Sequence, residues 1–172
     1  MTAAAWLSQP LTTDRLQLRA FTPSDVPFLL DMGGDPETWQ YLGGVQPLEQ
    51  RRRAVEAGFD TPNVFIVAAG TTPVGFTSLR PCTRDGLAEV PEVGYVFARE
   101  HWGHGYAREA VSATLAWGFE QFPDAPRIVA ATQEANKRSR RLLEALGMNV
   151  IERFVAWDAP QVLYALDRPG DS

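Results

Sequence analysis

Hydrophobic and polar positions along the chain follow the periods of strands and helices in turn. Residues 15–20 alternate polar and apolar side chains, a pattern typical of a strand with one buried face. Apolar runs on both sides of the turn at 70–73 predict a β-hairpin. In chain order, the predicted strands are 15–20, 64–69, 74–79, 90–98, 127–132, 150–157 and 161–166.

Apolar residues at helical spacing predict about four helices. The clearest covers residues 106–122, whose apolar face consists of Ala107, Ala110, Val111, Leu115 and Phe119. The others cover 22–32, 47–59 and 136–146, and the first and last of these end at glycines. A turn-rich stretch is predicted between the first two helices.

The order of these elements predicts the fold class. Short turns join the early strands and favour antiparallel pairing, whereas the later strands alternate with helices, which favours parallel crossovers. We therefore expect a single α/β domain over residues 1–172, with a mixed, mostly antiparallel sheet of about seven strands flanked by about four helices. Residues 1–10 and 168–172 are expected to be flexible ends.

Composition narrows the class of protein. The chain has 172 residues, 45% hydrophobic and 22% charged, as an ordinary globular domain does. The net charge of −5 disfavours nucleic acid as a partner. No apolar stretch approaches the roughly 20 residues of a membrane span, and no signal peptide is expected. The single cysteine, Cys82, excludes an internal disulfide and fits a cytoplasmic location.

A glycine-containing loop carries the main candidate chemistry. Gly103 and Gly105 lie between a predicted strand and the helix at 106–122. The start of a helix offers unpaired N–H groups, and glycines let the backbone curl around an anion. The loop is therefore a candidate phosphate cradle, although plain strand-to-helix turns use the same residues. It lacks the Gly-Lys-Ser/Thr of a P-loop, and Arg108 replaces the third glycine of the dinucleotide pattern.

Several short motifs resemble the RimJ/RimL-like branch of the GNAT N-acetyltransferase superfamily. The loop Trp102-Gly-His-Gly105-Tyr-Ala107 is similar to that superfamily's Arg/Gln-x-x-Gly-x-Gly/Ala pyrophosphate motif, from which Trp102 departs. The departure matches the Trp-Gly-x-Gly-Tyr-Ala of the branch. Further similar segments, in order, are 11–19, 35–42, 92–95, 132–139 and 142–148, so the resemblance covers about residues 11–166.

The resemblance implies an enzyme that transfers an acetyl group from acetyl-CoA directly to a primary amine. It implies that the pantetheine arm lies between the strands at 93–97 and 127–132, with backbone N–H groups near Val96 holding the thioester oxygen. The coenzyme-binding residues it implies are Val96, Phe97, Trp102, Gly103, His104, Gly105, Tyr106, Ala107, Arg108, Asn136 and Ser139.

Two side chains are candidates for proton transfer. The amine is mostly protonated at neutral pH, so a base must take its proton. Glu92 is the candidate base, with Glu89 as a weaker rival and a solvated strand-end glutamate as the alternative reading. By resemblance, Ser139 protonates the leaving thiolate and Asn136 anchors the coenzyme. Asn136 could equally be a helix N-cap, and Ser139 a solvent-facing serine.

Other polar residues carry weaker predictions. A basic cluster consists of Lys137, Arg138, Arg140 and Arg141. One or two of its members could pair with the phosphates of coenzyme A, although each alone fits a solvated helix face. No metal site is predicted, because His101 and His104 have no further ligands in view.

The acceptor is open at this stage. Its pocket is expected from residues 31–47, the loop at Arg84 and the strands near Trp157. Trp39 and Tyr41 could form its walls or equally be core residues under a loop. By resemblance the acceptor is a protein or peptide N-terminal α-amine, and a polyamine or an aminoglycoside is an alternative. A catalytically silent acyl-CoA-binding module is a further alternative. The resemblance also allows a homodimer.

Overall fold

A computed structural model describes residues 10–59 and 61–170. The strands are β1 (Leu11–Thr12), β2 (Leu16–Arg19), β3 (Val64–Ala69), β4 (Thr72–Pro81), β5 (Pro91–Phe97), β6 (Arg127–Gln133), β7 (Asn149–Ala156) and β8 (Ala159–Asp167). The α-helices are α1 (Val26–Met32), α2 (Pro36–Trp39), α3 (Leu48–Gly58), α4 (Tyr106–Gln121) and α5 (Lys137–Ala145). Short 3₁₀ helices cover Pro23–Asp25 and Arg99–His101.

The strands form one mixed sheet in the order β1-β2-β3-β4-β5-β6-β8-β7. β5 and β6 pair in parallel, with Glu92 opposite Val129. The pairs β1–β2, β2–β3, β3–β4, β6–β8 and β7–β8 are antiparallel. The predicted α/β class with a mostly antiparallel mixed sheet is confirmed, and the described residues hold eight strands and five α-helices.

Packing divides the chain into two compact units. The first holds the described residues up to Ser78 together with Tyr95–Ala110. Its core brings apolar side chains of α1 together with those of β3 and β5. The buried members of one core cluster are Leu29, Met32, Ile66, Val96 and Ala98.

The second unit holds Leu79–Gly94 and the described residues from Val111 onwards. Its core includes Cys82, Val129, Leu163 and Ala165. The alternation of strands and helices in this unit predicted that successive strands lie side by side and run in parallel. The structure differs from this prediction in one respect. β6 and β7 run in the same direction, but β8 lies between them and pairs antiparallel with both.

Two short elements were not predicted. β1 has two residues and is defined only by its pairing with Leu18 and Gln17 of β2. α2 lies in the stretch predicted to be turn-rich, and begins where the Asp35 carboxylate accepts the Thr38 N–H at 2.9 Å. A helix of four residues has too few positions to show an apolar period.

Arg168, predicted to belong to a flexible end, is held by hydrogen bonds. Its guanidinium donates to the main-chain oxygens of Phe119, Phe122 and Ala125, near the end of α4. Residues 1–9, 171 and 172 of the predicted ends lie outside the described residues. None of the helices within the described ranges has the length and apolar character needed to cross a membrane.

Candidate functional site

The glycine loop in the first unit has the backbone shape that its sequence predicts. Gly103 and Gly105 have φ values of +82° and +79°, the left-handed region that favours glycine. The Gly105 oxygen accepts the Glu109 N–H at 3.1 Å, which starts α4. A Cβ placed on Gly103 would meet no atom within 4 Å, so space is open on that side of the loop. The first N–H groups of α4 lack helical acceptors, as at any helix start.

Trp102 anchors the beginning of this loop. Its indole Nε1 donates to the Phe97 oxygen at the end of β5, at 2.8 Å. This hydrogen bond joins the start of the loop to the end of β5.

His104 is oriented within the loop. Its Nδ1 lies 3.0 Å from the Trp102 oxygen and 3.2 Å from the His101 oxygen, so a proton on Nδ1 satisfies both contacts. The ring stacks on Tyr106 at 5.5 Å between centroids. The side chain of Arg108 is exposed in the first turn of α4, and Ala107 is half-buried.

Val96 and Phe97 are buried at the end of β5. β4 approaches them closely at Gly75, where an added Cβ would lie 2.4 Å from the Val96 oxygen and 2.9 Å from the Phe97 Cα. Only glycine fits this approach. The Ala98 N–H donates to the Val74 oxygen at 3.0 Å and fixes the strand end.

Glu92 is half-buried on β5 in the second unit. Burial raises the pKa of its carboxyl group above the usual glutamate value. Hydrogen bonds from the Cys82 thiol and the Ala131 N–H, together with the charge of Arg84, offset part of this effect. A carboxyl group with a raised pKa holds a proton more strongly than an exposed one, which suits a general base.

Cys82 is a neutral neighbour of this carboxylate. The thiol is buried, and its pKa is raised first by burial and further by the adjacent Glu92 charge. Both effects disfavour the thiolate form of Cys82. The nearby Arg84 pairs with Glu152 and lies over the Phe154 ring at 3.7 Å.

Asn136 and Ser139 are brought together at the start of α5. The Asn136 Oδ1 accepts the main-chain N–H of Ser139 at 3.1 Å, so the predicted N-cap is present. Both side chains are half-buried. The cap uses the Ser139 main chain, and the hydroxyl group is not part of this bond.

Arg140 differs from the rest of the predicted basic cluster. Its Nε donates to the hydroxyl group of the buried Tyr164 at 3.2 Å, and Tyr164 donates to Glu144 at 2.9 Å. Arg140 NH1 also donates to the main-chain oxygen of Glu134 at 3.3 Å. These contacts fasten α5 to β8, while the neighbouring cations Lys137, Arg138 and Arg141 are exposed.

Comparison with known proteins decides the family. A model of the acetyltransferase (GNAT) domain matches residues 15–149. The chain belongs to this family. The GNAT protein is therefore an acetyltransferase, and the Trp102–Arg108 loop and the Asn136–Ser139 cap both lie inside the matched range.

The relatives agree with this assignment. The GNAT protein is 31% identical to the protein YkkB of Bacillus subtilis (strain 168), over 90% of this chain and 93% of YkkB. It is also 31% identical to the uncharacterized N-acetyltransferase p20 of Bacillus licheniformis, over 80% of this chain and 81% of p20. A solved GNAT-family acetyltransferase from Bacillus anthracis aligns with a TM-score of 0.82 at 26% identity, over 92% and 98% of the two chains.

More distant structures share the fold alone. RimL, a ribosomal L7/L12 α-N-protein acetyltransferase solved with coenzyme A, aligns with a TM-score of 0.73 at 17% identity, over 95% of this chain and 100% of RimL. The aminoglycoside acetyltransferase AAC(6')-Ib, also solved with coenzyme A, aligns at 0.73 and 19% identity, over 89% and 95%.

The sequence did not single out Arg15 or Glu109. In the structure Arg15 Nε donates to the Glu109 carboxylate at 2.8 Å, and its NH1 donates to the His104 oxygen at 2.8 Å. These residues are 94 positions apart, so no local pattern connects them. Each alone resembles an ordinary exposed charge of a strand or helix end.

Proposed function

We propose that this GNAT protein transfers the acetyl group of acetyl-CoA to a primary amine, and that the acceptor is the N-terminal α-amine of a protein or peptide. The observation that carries the proposal is the half-buried Glu92 carboxyl with its raised pKa, in a chain that belongs to an acetyltransferase family.

The glycine loop would bind the pyrophosphate of the donor. The left-handed glycines and the open side at Gly103 fit a backbone cradle, and the N-terminus of α4 adds favourable dipole charge. The residues assigned to the donor are those of the sequence prediction: Val96, Phe97, Trp102, Gly103, His104, Gly105, Tyr106, Ala107, Arg108, Asn136 and Ser139.

Acetyl-CoA supplies an activated acetyl group, so that a C–N bond to the amine forms while the C–S bond breaks. Glu92 accepts the proton that the ammonium group must lose before its nitrogen can attack. Ser139 donates its hydroxyl proton to the departing sulfur, and the second proton that the nitrogen loses as the amide forms returns to Ser139 through water. Asn136 positions Ser139 by holding its main-chain N–H.

The main-chain N–H groups near Val96 are assigned to the thioester oxygen. The close approach at Gly75 and the Ala98–Val74 hydrogen bond support this role, because they hold the end of β5 in one position. A fixed donor stabilises developing negative charge better than a mobile one.

Exposed apolar side chains of the expected acceptor segment favour a peptide as the acceptor. The acidic groups Glu37 and Asp35 lie 3.0 Å and 3.8 Å from the one Arg99 guanidinium, which balances one of their two charges. Leu42 and Val45 of this segment expose 48% and 40% of their surface, which suits the apolar side chain of a peptide.

Mass spectrometry of an acceptor panel tests the proposal. The panel pairs short peptides that have a free N-terminus with the same peptides blocked at the N-terminus, and adds spermidine and an aminoglycoside. We expect acetyl transfer to free peptides alone. Transfer only to the aminoglycoside or to spermidine would overturn the assigned acceptor, and tight acetyl-CoA binding with no transfer would indicate a silent acyl-CoA-binding module.

A further inference from the structure

Arg15 joins the glycine loop to the first turn of α4. Besides the bond from NH1 to the His104 oxygen, its NH2 forms an ion pair with Glu109 at 2.7 Å, and its main-chain N–H donates to Glu109 at 2.9 Å. Its guanidinium carbon lies 5.0 Å from the centroid of the Tyr106 ring. One side chain therefore contacts the loop at His104 and Tyr106 and contacts the helix at Glu109.

Glu109 is charged at this position. Burial alone would raise its pKa, but hydrogen bonds from Thr13 and Arg15 and the charge of Arg15 together lower it below the usual value. A carboxylate in the first turn of α4 is favourable to the helix but repels a phosphate bound at the same end. The Arg15 guanidinium balances this charge within hydrogen-bond distance.

Arg15 also limits the shape of the loop. The His104 carbonyl precedes Gly105, whose left-handed backbone depends on the orientation of that peptide group. A Cβ on Gly105 would lie 3.3 Å from Arg15 NH2, so the guanidinium packs directly against the loop backbone. The planar guanidinium group of arginine has five N–H donors and can make these contacts at the same time. The ammonium group of lysine cannot.

We propose that Arg15 is a positioning residue for donor binding, which holds the glycine loop through the His104 carbonyl and neutralises Glu109 so that the loop accepts a pyrophosphate. This inference rests on the proposed function, because it assigns the donor's pyrophosphate to the same loop. Arg15 itself contacts no reacting atom in this account.

A double-mutant cycle on purified protein tests it, with the dissociation constant of coenzyme A measured by calorimetry. Arg15→Gln is expected to weaken binding about tenfold, the scale of one charge-assisted contact. Adding Glu109→Gln removes the unbalanced carboxylate and is expected to restore part of the affinity, while the contact with the His104 carbonyl stays lost. A merely structural role predicts no such rescue. Arg52→Gln, which breaks the exposed Arg52–Glu49 pair on α3, is the control and is expected to bind as the wild type does.

Hydrogen exchange gives a second measurement, in which amides 103–107 of Arg15→Gln should exchange faster than those of the wild type. Should Arg15→Gln fail to fold, Arg15→Lys keeps the charge and is expected to bind with intermediate affinity. Wild-type affinity in either variant, or a double variant no better than Arg15→Gln, would overturn the role of Arg15. A wild type that does not bind coenzyme A would overturn the proposed function as well.

Discussion

Glu92 shows how its surroundings can turn an ordinary residue into a candidate base. In sequence it is one of 21 acidic residues. In the structure its carboxyl group is half-buried beside a neutral thiol and a main-chain N–H, and burial dominates the shift of its pKa. Cys82 follows the end of β4 and Ala131 lies on β6, so only the fold assembles this environment.

The pH dependence of turnover should report Glu92. The base works only when ionised, and its pKa is raised, so kcat/KM should rise with pH along a limb that lies above the usual glutamate range. Glu92→Gln should lower kcat by about 100-fold and remove this limb. Glu89→Gln is the matched control, since Glu89 is exposed nearby. A Glu92→Gln enzyme with the wild-type pH profile would exclude Glu92 as the base.

The stability of Glu92→Gln relative to the wild type should also depend on pH. Because the folded-state pKa of Glu92 is raised, the native state binds the proton more tightly than the unfolded state does. The contribution of Glu92 to the free energy of unfolding therefore falls as the pH rises from the pKa of Glu92 in the unfolded state through its pKa in the folded state. Urea unfolding of Glu92→Gln should show its stability relative to the wild type increasing across this range. A relative stability that decreases would contradict the raised pKa.

Ser139 allows a clean test of the proposed acid. Its main-chain N–H makes the cap hydrogen bond, and alanine keeps that group. Ser139→Ala should therefore fold and bind coenzyme A normally while kcat falls by about 100-fold, the scale of general acid catalysis. Steady-state kinetics and calorimetry measure the two quantities separately. Wild-type kcat would exclude Ser139 as the acid, and lost binding with unchanged kcat would limit the Ser139 hydroxyl group to donor binding.

At the scale of elements, Asn136 serves α5 whether or not it also contacts the donor. Asn136→Ala loses the cap and should lower the free energy of unfolding by about 1 kcal/mol. Asn136→Asp keeps a capping oxygen and should keep that stability, but its negative charge should weaken coenzyme A binding. Thermal unfolding and calorimetry distinguish the roles. An Asn136→Asp protein that binds coenzyme A as the wild type does would limit Asn136 to capping.

Gly75 controls how closely β4 and β5 approach within the first unit. Gly75→Ala would place a Cβ against the Val96 oxygen and the Phe97 main chain, neither of which is a flexible side-chain end. We expect the free energy of unfolding to fall by about 2 kcal/mol. Thr72→Ala, at an exposed position of the same strand, should leave it nearly unchanged. Equal stability of the two variants in urea unfolding would contradict this packing.

The elements that could be predicted are those with a clear local period. β3 and β2 follow from apolar runs and alternation, and α4 from its apolar face. β1 could not be predicted, because two residues become a strand only by pairing with β2. α2 has one local signal in the sequence. Asp35 is an N-cap residue, and Pro36 follows it at the first helical position.

At the scale of the whole molecule, membership of the family can be recognised from motifs spread over the chain. The contacts around the candidate site residues form only when the chain folds. The order of the glycine loop, the Asn136 cap and the closing glycine could be recognised in sequence, and the family that it indicated is confirmed by the match over residues 15–149. The Arg15–Glu109 and Cys82–Glu92 pairs could not, because their partners lie on separate elements. Local patterns thus predict the candidate residues, and tertiary contacts set the charge and shape around each of them.

The rate of thiol release from acetyl-CoA, measured with purified protein and a free N-terminal peptide, tests the central claim most directly. The account predicts release that requires the peptide's free amine, saturates with acetyl-CoA and falls by about 100-fold in Ser139→Ala. Release at the background rate with every amine of the panel, from protein that binds acetyl-CoA, would contradict acetyl transfer as its activity.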